Sequence, residues 1–392
     1  MKAQTVKESQ RTRVEPVSVL PDISYSYDFL NSAQRKAVMH RGGPLLIIAG
    51  AGTGKTSVIT NRILWLIQQG LARPEQILAL TFTNKAAQEM EERVDVIMPY
   101  GYTEMWISTF HAFCDQVLKQ DAIHIGLDPG FILMALAQEY VFFRSHLFEM
   151  SLDRFRPHGN PTKFIGEILR HFSRLGDEDI APDEYLEYVK KNTDLSDEQR
   201  ADFLELATVY GQYSRMKEQE SRFGFYDLVP QVLRLFRRRP LVLKRWQEKF
   251  KYVLVDEFQD TNYAQNELVE MLVGEGGRIT VVGDDDQSIY KFRGAAISNI
   301  LDFKKTYPKY SSVVLTQNYR SHTGILDTAY RLIKNNDPYR LEVTEKVDKR
   351  LVSVRDGDIP PSTYKKKAGT SSQQEELPLS SMETGVSNGQ PS

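Results

Sequence analysis

The chain has 392 residues, of which 41% are hydrophobic and 26% charged, and these proportions are ordinary for a soluble globular protein. Its length favours two domains and allows a large core without disulfides or metal ions. The formal net charge of −2 neither indicates nor excludes nucleic-acid binding, because phosphates are bound by local basic patches.

The cysteine content and the lengths of the apolar runs indicate the cellular compartment of the protein. The one cysteine, Cys114, cannot form an internal disulfide, which indicates a reducing compartment and predicts a cytoplasmic protein. Its aromatic neighbours favour a buried core position over a nucleophile. Since the sequence has no apolar run of roughly 18 residues, we expect no membrane span. Residues 1–27 are polar, lack the apolar stretch of a secretory signal and are expected to form a flexible lead-in.

Strands and helices alternate in the next part of the chain, residues 28–115. Short β-branched apolar runs predict strands, and apolar residues at helical spacing predict helices. The predicted strands are 44–49, 77–83 and 105–110, and the predicted helices are 56–69 and 84–97, the second with Asn84 as its N-cap. This alternation predicts an α/β fold with a parallel sheet covered on both faces.

The pattern changes to helical spacing over residues 116–221, with 147–156 and 185–191 as examples, which predicts an inserted all-helical subdomain. Strands return in residues 222–345, at 252–256, 278–282 and 312–315. Helices are predicted after them, at about 262–273, 295–305 and 321–335. The sheet domain is therefore expected to be discontinuous. Residues 346–392 lose periodicity and are expected to be a disordered tail.

A glycine-rich loop lies between the first predicted strand and the helix after it. This setting is the one that a phosphate-binding P-loop requires. Backbone N–H groups of such a loop point at phosphate oxygens, the lysine reaches the β- and γ-phosphates, and the last hydroxyl binds Mg²⁺. The loop therefore predicts an ATP site with Mg²⁺. Its residues are Ala49, Gly50, Ala51, Gly52, Thr53, Gly54, Lys55 and Thr56.

A second strand, 252–256, ends in the carboxylates Asp256 and Glu257. Because the carboxyl ends of parallel strands share one edge of the sheet, Asp256 is expected beside Thr56. We expect Asp256 to hold Mg²⁺ and Glu257 to act as the general base on the attacking water. Without the P-loop, such an Asp-Glu pair would more often be a helix N-cap.

The segment continues as Asp-Glu-Phe-Gln-Asp-Thr-Asn up to Asn262, and together with the P-loop it resembles the UvrD/Rep/PcrA-like superfamily 1 DNA helicases. Further segments are similar to motifs of this family in the same order: 30–38, 80–90, 108–111, 223–228, 283–295 and 315–321. The resemblance implies a RecA-like P-loop NTPase sheet. It also implies a 3′–5′ helicase of DNA repair or replication, whose ATP hydrolysis is coupled to single-stranded DNA or DNA junctions.

The resemblance also implies roles around the nucleotide. Gln34 is expected to read the adenine edge and Tyr319 to stack on the adenine ring. Gln287 is expected to sense the γ-phosphate, and Arg320 to place its guanidinium beside it. The implied catalytic set is Lys55, Asp256, Glu257, Gln287 and Arg320. One departure from many relatives is Ser57, which stands where they have an arginine.

Three of the matching motifs contact single-stranded DNA in the family. The residues that the resemblance assigns to DNA are Phe82, Thr83, Asn84, His111, Tyr290 and Phe292. Aromatic faces stack on unpaired bases without reading their sequence, although core packing is an equal alternative for Phe82. Phe292 stands where relatives have tryptophan. RNA is a less favoured strand, since nothing in the sequence indicates a contact to a 2′-hydroxyl.

Helicases of this family continue into a second RecA-like domain, whereas the resemblance here fades after about residue 335. We therefore expect the chain to bind ATP, to hydrolyse it slowly and not to unwind DNA alone, because translocation requires two domains that open and close. A fragment, a truncated product and a subunit completed by a partner protein all fit. The alternative function is a non-translocating, ATP-dependent regulatory module that binds DNA or a helicase.

Overall fold

The structure of the protein is a computed structural model that describes residues 25–98, 105–289 and 298–355. Strands in the described part are β1 Leu45–Ala49, β2 Ile77–Thr81, β3 Trp106–Thr109, β4 Ile132–Met134, β5 Arg222–Gly224, β6 Tyr252–Val255, β7 Ile279–Gly283, β8 Ser311–Leu315, β9 Gln317–Asn318 and β10 Val352–Ser353.

Helices in the same part are α1 Ser32–Val38, α2 Lys55–Gln68, α3 Asn84–Asp95, α4 Phe110–Asp121, α5 Leu136–Ser145, α6 Ile165–Asp177, α7 Pro182–Lys191, α8 Asp197–Gln219, α9 Phe225–Arg238, α10 Pro240–Lys249, α11 Tyr263–Val273, α12 Ser298–Thr306, α13 Thr323–Ile333 and α14 Leu341–Thr344. None of them combines the length and apolar character that a membrane crossing requires.

Six strands form one parallel sheet in the order β3-β2-β6-β7-β1-β8. The strand β1 pairs with β7 and β8, and β6 pairs with β2 and β7. The α/β prediction is confirmed. Because the strands are parallel, the loops after β1, β6 and β7 leave the sheet at the same edge.

Helices cover both faces of this sheet. Neighbouring residues of β1 belong to different hydrophobic clusters: Leu46 and Ile48 pack in one, and Leu45 and Ile47 pack in the other. Alternate side chains of a strand point to opposite faces, so both faces are buried. This explains why β1 is apolar at every position rather than at every second one. The first cluster includes Cys114, whose core position is confirmed.

The helices α5–α8 share a third hydrophobic cluster, which contains residues between Met134 and Tyr213. The segments before α5 and after α8 are joined by the short parallel pair β4 and β5, which sequence reasoning missed. Strands of three residues carry too little pattern to be recognised without their partner. The predicted bounds of the inserted subdomain, 116–221, stay a prediction.

The expected helix over 147–156 is wrong, since these residues form turns. The Glu205 carboxylate on α8 accepts hydrogen bonds from the backbone N–H groups of Asp153, Arg154 and Phe155 at 2.9, 3.1 and 3.2 Å. A distant side chain therefore supplies the acceptors that helical carbonyls would otherwise provide. The local apolar spacing could not show this contact.

The expected start of the tail at residue 346 is also too early, because the described residues extend to Arg355 and pack on the sheet domain. β10 pairs with β9, and Lys349 is only 8% exposed. These contacts join positions distant in sequence, so they leave no local periodicity. Residues 1–24 and 356–392 lie outside the described residues.

A buried charge cluster lies where α5, α8 and α9 meet. The Lys217 ammonium lies 2.6 Å from an oxygen of Asp227, and both side chains are buried or nearly so. Glu139 packs against Gly224 so closely that a Cβ there would lie 1.7 Å from its Oε1 atom. Burial, followed by the charge of Asp227, raises the pKa of Glu139 to about 7.

This raised pKa predicts a pH-dependent stability. Between the ordinary pKa of Glu139 and about 7, the folded state holds a proton that the unfolded state has lost, so the free energy of unfolding falls as pH rises. We expect Glu139→Gln to remove this slope. The free energy of unfolding of the variant, relative to that of the wild type, should rise by about 2 kcal/mol from pH 5 to pH 8. Urea unfolding of both proteins at several pH values measures this free energy. The exposed Glu149→Gln variant should keep the wild-type slope.

Candidate active site

The P-loop joins β1 to α2 and is shaped by two glycines in the left-handed region, Gly52 with φ +75° and Gly54 with φ +88°. The Thr53 hydroxyl donates to the Gly50 carbonyl at 2.8 Å and closes the turn. No side-chain cap is present at the start of α2. Its first N–H groups therefore face the loop and form the kind of anion site found at helix N-termini.

Lys55 connects the P-loop to two other strand ends. Its side chain is 9% exposed, and its Nζ atom lies 2.8 Å from Oε2 of Glu257. The same ammonium donates to Oε1 of Gln287 at 3.0 Å. The structure thus brings together three residues of the predicted catalytic set, from the loops after β1, β6 and β7.

Asp256 lies beside Thr56, as the parallel sheet led us to expect. Its carboxylate is 3% exposed and bonds with the Thr56 hydroxyl. Burial, followed by the charge of Glu257, raises the pKa of Asp256 to about 7, while Lys55 opposes the shift. A buried carboxylate next to a hydroxyl offers the hard oxygen ligands that Mg²⁺ takes. The side chains present therefore fit this ion.

Glu257 has a left-handed backbone, with φ +50°. A non-glycine residue in this region is uncommon, and here its side chain is held from both sides. Gln259 donates to Oε2 of Glu257 at 2.7 Å, and its own Oε1 accepts from the backbone N–H of Asp284 at 3.1 Å. Sequence reasoning predicts no role for Gln259. It ties the loop after β6 to the loop after β7.

Gln34 and Tyr319 lie on the other side of the P-loop. Gln34 donates to the Thr53 carbonyl at 2.9 Å, and its Oε1 accepts from the backbone N–H of Asn31 at 3.2 Å. The Tyr319 backbone N–H donates to the Gly52 carbonyl at 2.9 Å. Its ring is 43% exposed, and its hydroxyl accepts from the Asn31 amide at 2.9 Å. The two residues predicted to contact adenine therefore share one corner of the loop.

Asn318, which precedes Tyr319, is a site residue that sequence reasoning missed. Its buried amide donates to the Ala51 carbonyl at 2.6 Å, and its Oδ1 accepts from the N–H groups of Arg320 and Ser321 at 2.9 and 2.7 Å. A Cβ on Gly52 would lie 2.6 Å from that of Arg320. The Arg320 side chain is exposed, and within the described residues its guanidinium has no hydrogen-bond partner.

Three successive carboxylates, Asp284, Asp285 and Asp286, follow β7 and lie within 4.8 Å of one another. The ammonium of Lys349 contacts all three of them. Gln287 donates to Oδ2 of Asp284 at 2.7 Å. The sequence predicts that Lys349 lies in the tail, so no local pattern indicates its contact with the site.

The residues assigned to DNA begin after β2 and β3, neighbouring strands of the same sheet edge. Phe82 is partly buried, and Thr83 and Asn84 are exposed. The predicted N-cap Asn84 is wrong by one position, because the Thr83 hydroxyl accepts the Ala86 N–H at 3.1 Å. His111 lies 6.1 Å from the Phe225 ring, edge to face, and burial lowers its pKa. Tyr290 and Phe292 lie outside the described residues.

The sequence of the chain matches a known protein family over most of its length. The sequence profile of the UvrD/REP helicase N-terminal domain matches residues 30–308 of the chain. This chain belongs to the UvrD/REP helicase family. The matched segment of this UvrD/REP chain contains the P-loop, the acidic end of β6 and the acidic residues after β7.

Relatives named ATP-dependent DNA helicase PcrA are similar over most of this length. The Bacillus subtilis (strain 168) protein is 42% identical over 308 residues, which are 78% of this chain and 40% of the relative. That of Staphylococcus aureus (strain Mu50) is 41% identical over 307 residues, with the same coverage. The Staphylococcus epidermidis protein is 40% identical over 307 residues, 78% of this chain and 40% of its own. The UvrD/REP chain therefore spans about two fifths of their length.

The Asn318 contacts predict a measurable effect on the P-loop of this UvrD/REP chain. We expect Asn318→Ala to lower the free energy of unfolding by about 2 kcal/mol, because the Ala51 carbonyl and two backbone N–H groups lose their partner. Hydrogen exchange of the amides of residues 50–54 should become faster, while exchange in β6 stays unchanged. The exposed Ser312→Ala variant is the control. If these amides exchange equally slowly in both variants, the contacts of Asn318 do not stabilise the P-loop.

Proposed function

We propose that this chain is the ATP-binding part of a UvrD/REP-type DNA helicase and that it hydrolyses ATP in response to single-stranded DNA. The observation that carries the proposal is the position of Lys55. Its ammonium meets Glu257 and Gln287 at one edge of the sheet, beside a glycine loop and a helix N-terminus. These are the parts that phosphoryl transfer from ATP requires.

The P-loop binds the phosphates in this proposal. Its N–H groups and those at the start of α2 hold the phosphate oxygens, and Lys55 neutralises the β- and γ-phosphates. Tyr319 offers an exposed ring face on which adenine stacks, next to Gln34. Arg320 extends from the turn that Asn318 holds against the loop, so its guanidinium can reach the γ-phosphate.

Thr56 and Asp256 would hold Mg²⁺, which would neutralise phosphate charge. Glu257 is the general base, since its carboxylate lies 2.8 Å from the ammonium of Lys55, the residue that reaches the terminal phosphate in this proposal. In the structure Lys55 pairs with Glu257. An incoming phosphate competes for the ammonium, which releases the carboxylate to accept a proton from water.

Single-stranded DNA is proposed to bind along the edge formed by the ends of β2 and β3. Phe82, Thr83, Asn84 and His111 follow these strands, at the same side of the sheet as the ATP site. DNA is the favoured strand because the similar proteins are ATP-dependent DNA helicases. The described residues hold one six-stranded sheet, so we expect no unwinding by this polypeptide without a second domain to close against it.

Turnover measurements on two variants test the ATPase. We expect Lys55→Ala to weaken ATP binding at least about tenfold, because the phosphates lose their buried counter-charge. Glu257→Gln should keep ATP binding but lower the single-stranded-DNA-stimulated rate about a hundredfold or more, since the amide cannot accept the proton. Fluorescent-nucleotide titration and phosphate release measure the two effects. The exposed Lys190→Ala variant serves as the charge-matched control.

The same measurements separate the enzyme from the regulatory module. ATP binding without turnover, in the presence and absence of single-stranded DNA, would support a module that uses ATP as a switch. Wild-type turnover that Glu257→Gln leaves unchanged would remove Glu257 from the role of base. Rapid strand separation by the chain alone would contradict the need for a second domain.

DNA contacts are tested by the DNA concentration that gives half-maximal stimulation. We expect Phe82→Ala and His111→Ala each to raise this concentration about tenfold, because stacking on a base contributes about 1–3 kcal/mol. Phe148→Ala, which removes an exposed ring from the helical region, should not change it. If Phe82 serves only the core, its variant will instead lower the melting temperature and leave the DNA dependence as it was.

A further inference from the structure

Lys349 has an unusual environment for a lysine. The residue is 8% exposed, and its ammonium lies 2.6 Å from Oδ1 of Asp284 and 3.0 Å from Oδ2 of Asp286, and it also contacts Asp285. Closely spaced buried carboxylates repel one another unless a cation lies among them. In this structure the cation among the three carboxylates is the ammonium of Lys349, which lowers their mutual repulsion.

Asp285 and Asp286 are fixed by Arg340 and Leu341, which lie in the same C-terminal region as Lys349. Arg340 donates two hydrogen bonds to Asp286, at 2.7 and 2.8 Å. The backbone N–H of Leu341 donates to Asp285 at 2.8 Å. Asp284 instead faces the ATP site, and Lys349 is the residue that connects it to this region.

A continuous chain of contacts leads from Lys349 to the P-loop. Oδ1 of Asp284 meets Lys349, and Oδ2 of Asp284 accepts from the Gln287 amide at 2.7 Å. The oxygen of the Gln287 amide then accepts from Lys55 at 3.0 Å. Each contact is short, and the intermediate groups are buried or partly buried.

The chemistry of these groups fixes the orientation of Gln287. A glutamine amide has a donor end and an acceptor end, and either end can occupy a given place. The NH₂ end donates to the Asp284 carboxylate, and the Lys55 ammonium, which can only donate, selects the oxygen. Without Lys349, Oδ1 of Asp284 loses its ammonium partner, and the carboxylate can turn away from the Gln287 amide, which removes the selection.

We propose that Lys349 is a positioning residue of the ATP site, which fixes the Asp284 carboxylate and thereby holds the Gln287 amide with its oxygen towards Lys55. This inference rests on the proposed ATP site but concerns a residue outside the nucleotide-contacting loops. Lys349 touches no nucleotide in this scheme. It acts through Asp284 and Gln287.

The neighbouring residues strengthen the link to the P-loop. Leu351 packs against Gly50, where a Cβ would lie 2.8 Å from one of its methyl carbons. The N–H groups of Val352 and Val354 donate to the carbonyls of Thr316 and Asn318, both at 2.9 Å. The segment 349–355 thus contacts the acidic cluster, the P-loop and the turn that carries Arg320.

The preference for a triphosphate over a diphosphate is the appropriate readout, because a merely structural role would weaken both nucleotides equally. Dissociation constants of the whole chain are measured for a non-hydrolysable ATP analogue and for ADP, each with Mg²⁺. We expect Lys349→Met and Gln287→Ala each to reduce the wild-type preference for the triphosphate about tenfold, and the double variant to show no further loss. Lys349→Arg should restore most of the preference.

Two controls keep the test decisive. Arg350→Met removes an exposed neighbouring charge and should leave the preference unchanged. Should Lys349→Met fold poorly, Lys349→Met with Asp285→Asn removes the lysine while lowering the excess negative charge, and it should show the same loss. A wild-type preference in a folded Lys349 variant, or losses that add in the double variant, would overturn the positioning role alone. Absence of nucleotide binding by the wild type would overturn both this inference and the proposed function.

Discussion

The meeting of Lys55 with Glu257 and Gln287 depends on one constraint, which is that β1, β6 and β7 are adjacent and parallel. Parallel strands end at the same edge, so three loops far apart in sequence lie within hydrogen-bond distance. An antiparallel neighbour would place one of these loops at the opposite edge. The apolar sheet core therefore fixes the chemistry of the edge, because its register decides which polar residues come together.

Glutamine and asparagine side chains refine what the sheet arranges. Gln259 spans the loops after β6 and β7, and Asn318 holds the turn after β8 against the P-loop. Each of these amides donates through one end and accepts through the other, which fixes direction as well as distance. A charged residue in the same buried place would require a counter-charge. Neutral amides thus position the charged groups without adding to the charge that the site must accommodate.

Much of the fold was predictable from local patterns. The apolar run of β1, the glycine loop and the helical spacing of α2 are contiguous, so each could be read without knowledge of its partners. Other predictions failed where a distant residue decides the structure. The turns at 147–156 depend on Glu205, and the position of Lys349 depends on the three aspartates after β7. Thr83 rather than Asn84 caps α3, a shift by one residue that spacing alone does not resolve.

The sequence by itself determined the parts of the site: a P-loop lysine, two carboxylates after an apolar strand, and the UvrD/REP family to which these belong. Such features are local, since glycine freedom, charge and hydrophobicity act where the residue stands. Only the tertiary structure decided how the parts are oriented: the left-handed backbone of Glu257, the Gln259 and Asn318 bridges, and the contact of Lys349 with the acidic cluster. These arise from packing between segments that are remote in the chain, and no local pattern encodes the distance between two side chains.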